Sequence, residues 1–74
     1  MNDRKIHIGE MIRRECLRQQ RGATWLAARL YCNRVNIYKI YSKRSIDTDL
    51  LYRISIALDH DFFADISRGL TQRP

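Results

Sequence analysis

Apolar positions recur every three or four residues in several stretches of this 74-residue chain, separated by short polar breaks. Ile8, Met11, Ile12 and then Cys16 or Leu17 form the first stretch. It predicts a helix over residues 6–20, with Arg13, Arg14 and Arg18 on the remaining surface. Asp3 suits the positive start of that helix, and Gly22 suits its termination. Leu26 and Leu30, an i, i+4 pair with Ala27 beside them, predict a second helix over residues 23–30, capped by Gly22 or Thr24. The small Ala27 admits close approach of a neighbouring helix. Trp25 reads as a partly buried core or edge residue rather than a platform for stacked bases.

The stretch LAARLYCNRVNIYKIY, residues 26–41, then turns over within three residues. Asn33 is a good N-cap, so a third helix is predicted from Arg34 to Tyr41 or Ser42. Spaced at 100°, Ile37, Ile40 and Tyr41 fall on one side. Val35, Tyr38, Lys39 and Ser42 fall on the other, with Asn36 on a flank and Arg34 exposed at the start. Such an outward face makes a poor core and a reasonable surface for reading DNA.

After the loop SKRSI, Asp47 or Thr48 caps a fourth helix whose apolar face is Leu50, Leu51, Ile54, Ala57 and Leu58. Asp59-His60-Asp61 breaks the pattern, with His60 read as a solvated turn residue. A last helix is predicted over residues 62–68. No glycine or proline lies between Gly22 and Gly69, which points to an all-α chain. The predicted organisation is an N-terminal arm (1–5), one compact bundle of about five short helices (6–68), and a flexible tail (69–74).

Charge sharpens this picture. Residues 1–46 hold eleven Lys/Arg against Asp3, Glu10 and Glu15, a balance of +8, while residues 47–74 hold three arginines against five aspartates, a balance of −2. A basic half joined to a mildly acidic one suggests a polyanion-binding face and a separate surface for something else. Cys16, Cys32, His7 and His60 have no metal-site spacing, and the cysteines read as reduced, structural thiols. No metal or cofactor is expected. The polar start MNDRKIH and the short apolar runs predict neither a signal peptide nor a membrane span, hence a cytoplasmic protein. No Cys-His, Ser-His or carboxylate pair can be placed in a pocket, so catalysis is not expected.

Leu26, Ala27, Leu30, Ile37 and Ile40 form a helix-turn-helix pattern, which resembles the Cro/phage-repressor (xenobiotic-response-element) family of bacterial and phage regulators. IGEMIRR at 8–14 looks like that family's first helix, and DTDLLYRISIALDHDFF at 47–63 like its fourth and the approach to its fifth. The resemblance covers about residues 6–68 and implies a lambda-repressor-like domain. Two positions depart from the family. Tyr31 stands where members often have glycine, and Ala23 where many have a phosphate-clamping glutamine.

The resemblance implies sequence-specific binding of double-stranded DNA, with the third helix in the major groove. It implies base contacts from Arg34, Val35, Tyr38 and Lys39, and backbone contacts from Arg21, Thr24, Asn36, Ser42, Lys43 and Arg44. Arg13 and Arg14 either add to these or form a solvated face. A homodimer is implied, associating through Phe62, Phe63, Ile66 and Leu70, on the nucleoid within the cytoplasm. The alternative is an antitoxin-type interaction module, with a partner protein on the acidic C-terminal half.

Overall fold

His7, not a residue further upstream, starts the first helix. In the computed structural model, which describes residues 6–71, its ring Nδ1 accepts a hydrogen bond from the Glu10 N–H at 3.0 Å. Helix α1 therefore spans Ile8–Gln19, two residues shorter at its start than predicted. Asp3 lies outside the described residues. The helix ends when Gln20 turns left-handed (φ 60°), so the terminator is Gln20 rather than Gly22. Gly22 instead caps α2, Ala23–Arg29. The predicted caps Asn33 and Asp47 both act. Asn33 Oδ1 accepts from Asn36 N–H at 3.1 Å and opens α3 (Arg34–Tyr41), and Asp47 Oδ1 accepts from Leu50 N–H at 2.7 Å and opens α4 (Thr48–Leu58). Helix α5 runs Phe62–Thr71, past the expected end at Arg68, so residues 69–71 belong to a helix and not to a tail. Among the described residues there are five helices and no strands.

The core draws on every helix. Ile12 and Cys16 of α1, Leu26 of α2, Ile37 of α3, Ile54 and Leu58 of α4, and Phe62 of α5 are all but sealed from water. Of the two residues at the end of the first stretch, Cys16 is the buried one and Leu17 faces out. Ala27 is buried where α2 meets α3, as the close crossing requires.

Two polar arrangements fix the ends of this core. The first turn of α1 sits on the end of α3: Ile8 N–H donates to Arg44 O (2.9 Å), and Gly9 N–H donates to Lys43 O (2.8 Å). Two of α1's otherwise unpaired N–H groups thereby satisfy carbonyls of the basic loop. The second arrangement joins α1, α4 and α5. Buried Glu15 accepts from Arg18 and from Gln19 Nε2 (2.7 Å), while Gln19 also donates to Leu58 O at 2.7 Å. His60 completes it, with Nδ1 3.6 Å from Glu15, Nε2 2.7 Å from Asp65, and its ring edge-on to Phe62. His60 is therefore a half-buried bridge, not a solvated turn residue. Sequence position alone hides this, since Glu15 lies 45 residues away.

Candidate nucleic-acid interface

Helix α3 divides as its periodicity predicts. Ile37 and Ile40 are buried and Tyr41 is half-buried, whereas Arg34, Val35, Asn36, Tyr38 and Lys39 all face solvent. Val35 and Tyr38 remain 55% and 56% exposed, so neither contributes much to the core. Tyr38 is not loose, because its ring meets Tyr41 edge-on with centroids 6.1 Å apart. Tyr41 is anchored in turn against Cys16, and burial pushes both the phenol and the thiol up from their ordinary pKa values. The outward face is thus presented on a helix held from behind.

The predicted backbone-contact residues behave unequally. Lys43 and Arg44 are exposed at the side chain, and their carbonyls are pinned by α1, so the backbone that carries these two cations is fixed. Arg21 and Thr24 are exposed at the start of α2, while Ala23 packs against the core and offers nothing in place of a glutamine. Ser42 does not fit its assigned part. Its Oγ–H donates to Lys39 O (2.8 Å) and its N–H to the same oxygen, so neither donor is left for a phosphate.

Ion pairing sorts the cations. Arg13 and Arg14 both bond Glu10, at 2.8 and 3.2 Å, and Arg18 bonds Glu15. Arg13, first among the causes, holds the Glu10 carboxyl below its ordinary pKa. Arg68 donates to Asp65. By contrast Arg21, Arg29, Arg34, Lys39, Lys43 and Arg44 have no ion pair with a described carboxylate. All six lie on α2, α3 and the loops beside them; Arg53 of α4 is the one other described Lys or Arg without such a pair, so six of these seven cations belong to the helix-turn-helix.

Arg29 is the residue missed by sequence reasoning. Its guanidinium lies 4.9 Å from the Trp25 ring centroid, and that of Arg21 lies 4.4 Å from the same centroid. Trp25 thus orients two cations by cation–π contact. The signal is present in the chain, since Arg29 stands four residues after Trp25 on α2 and Arg21 four residues before it, just ahead of the Gly22 cap.

The α5 residues also separate. Phe62 is 1% exposed and belongs to the core, so it cannot serve self-association. Ile66 turns half inward, and only Phe63 and Leu70 face outward. The aspartates of the C-terminal half are unequal, Asp49 and Asp59 being exposed without a side-chain partner. Asp47 and Asp61 cap helices, and Asp65 is bonded to His60 and Arg68. Among the described residues no cluster of His, Cys, Asp or Glu could hold a metal ion, and no helix is long and apolar enough to cross a membrane.

Comparison with protein-family models, with curated proteins and with solved structures gives no match to this chain.

Proposed function

We propose that the chain is a sequence-specific regulator of transcription that binds double-stranded DNA with α3 in the major groove. The observation that carries this reading is the coincidence of two surfaces. Six of the seven described Lys and Arg residues without acidic partners lie on α2, α3 and the adjoining loops, the seventh being Arg53 of α4, and the outward face of α3 is made of side chains that its core does not use. Phosphate contacts from Arg21, Lys43 and Arg44 set position, and base edges are read by Arg34, Val35, Tyr38 and Lys39. An arginine at the helix start can bond both acceptors of a guanine, worth about 1–3 kcal/mol of discrimination. Val35 suits a thymine methyl. Asn36 stands on the flank of this face, beside the backbone.

Two copies on half-sites about one turn of DNA apart, roughly 34 Å, complete the reading. The outward apolar residues of α5, Phe63 and Leu70, are its self-association surface. Such a protein works on the nucleoid in the cytoplasm.

Selection from a randomised duplex pool, run beside Arg34→Ala, tests the proposal. A short enriched motif that loses one guanine preference in the variant supports it. Binding without enrichment, steeply salt-dependent and indifferent to Arg34→Ala, would leave only the phosphate contribution and refute base reading.

A further inference from the structure

Between the α2–α3 turn and the outer side of α4 lies a groove of about 280 Å³, lined by Arg29, Leu30, Tyr31, Arg53, Ile56 and Ala57. Its floor is apolar: Leu30 is buried, Ala57 half-buried, and Ile56 stands 63% exposed at the edge. Two guanidiniums border it, and both are held in place. Arg53 Nη2 donates to Leu30 O at 3.3 Å, and Arg29 rests on Trp25. Neither has an ion pair with a described carboxylate. Cations immobilised in advance lose less freedom when a ligand arrives.

Tyr31 supplies an independent observation. Its φ of 59° lies in the left-handed region, which is strained for a residue bearing a Cβ. Yet its side chain is 94% exposed, so no internal packing offsets that strain. A bulky aromatic kept at such a position, at the rim of an apolar groove, is suited to contact with another molecule.

We propose that this groove docks an acidic, apolar-bearing segment of a partner protein. A carboxylate of the segment lies between Arg29 and Arg53, its neighbouring apolar side chain covers Ile56 and Ala57, and Tyr31 closes over the edge. Both halves of the groove are needed to choose this occupant. A phosphate backbone would engage the guanidiniums but leave the apolar floor wet, and a basic segment would be repelled. A second copy is a poorer fit, because caps and ion pairs already engage most carboxylates of the C-terminal half. The partner's polarity is the reverse of the one the acidic half of the sequence suggests.

Trp25 is the only tryptophan, and Arg29 stacks on it, so its fluorescence reports on the groove. The probe is an acetylated, amidated octapeptide of alternating aspartate and leucine, titrated beside its lysine–leucine counterpart. Saturable change with a Kd of about 0.1 mM is expected for the acidic peptide and none for the basic one. Ile56→Asp and Arg53→Ala each raise that Kd about tenfold or more and leave duplex-DNA affinity unchanged. Ile56 is exposed, so its variant keeps the fold. Absence of saturation, or a Kd indifferent to Ile56→Asp, overturns the proposal. So does a fall in DNA affinity in these variants, which would assign the groove to nucleic acid. Self-association of the free chain that Ile56→Asp abolishes would assign it to a second copy and overturn the proposal equally. The titration contains no DNA, so the failure of this inference and the failure of the DNA-binding reading are seen separately.

Discussion

A Cβ on Gly9 would fall 2.3 Å from the carbonyl oxygen of Ile40. The same imagined atom would stand 2.3 Å from Tyr41 O, so both obstacles are backbone and neither can swing aside. Absence of a side chain at Gly9 is what lets α1 seat on the end of α3 and hold the carbonyls of Lys43 and Arg44. Gly9→Ala should therefore destabilise the fold by about 3 kcal/mol through overpacking, despite alanine's better helix propensity. Urea denaturation measures it, and a gain in stability would mean that α1 does not seat on the end of α3.

Tyr31→Gly should act in the opposite direction. Relief of left-handed strain is worth about 1–2 kcal/mol, and glycine's extra unfolded-state entropy offsets about half of that. The exposed side chain contributes little packing, so a net gain of about 0.5–1 kcal/mol is expected from the shift in urea midpoint. The same variant should bind the acidic octapeptide more weakly, separating stability from docking.

Acid stability should depend on Glu15. Hydrogen bonding from Arg18, the largest cause, holds its carboxyl at a pKa of about 2, against 4.5 when unperturbed. A carboxylate whose pKa is lower in the folded state adds stability above the unfolded value, and that stability is lost as pH falls. The loss belongs to the window from about pH 4.5 down to about 2. Glu15→Gln should be less stable than the parent at pH 7, and its urea midpoint should fall less steeply across that window. Parallel pH profiles for the two proteins would remove Glu15 from the account.

The ion pairs predict which cations DNA feels. Each lost phosphate contact lowers the slope of log K against log salt by about 0.9. Lys43→Ala, in the pinned loop, should show that decrease and a uniform loss across sequences. Arg13→Ala should leave the slope nearly unchanged, because Glu10 already engages Arg13. Equal slopes for the two variants would show that the sorting of charges does not govern binding.

Much of α3 is legible in the amino-acid sequence. The Asn33 cap and the division between Ile37 with Ile40 and Val35 with Tyr38 follow from residue chemistry and a 100° step, both local. The pairing of Arg13 and Arg14 with Glu10 is also within reach, because these residues stand three and four apart on one helix. The commitment of Ser42's donors to Lys39 O is not, since a serine at a helix end serves solvent, ligand or backbone equally well by its type.

By itself the sequence determined the number and order of the helices, the Asn33 and Asp47 caps, and the gathering of basic residues before Asp47, since periodicity, capping and charge are properties of neighbours along the chain. Tertiary structure decided the rest. It chose Phe62 over Phe63 for the core, turned His60 into a bridge between Glu15 and Asp65, made Gly9 indispensable beside Ile40, and left Arg29 and Arg53 facing one groove without acidic partners. Each of these depends on which segments meet across the core, and distance along a chain does not encode distance in space.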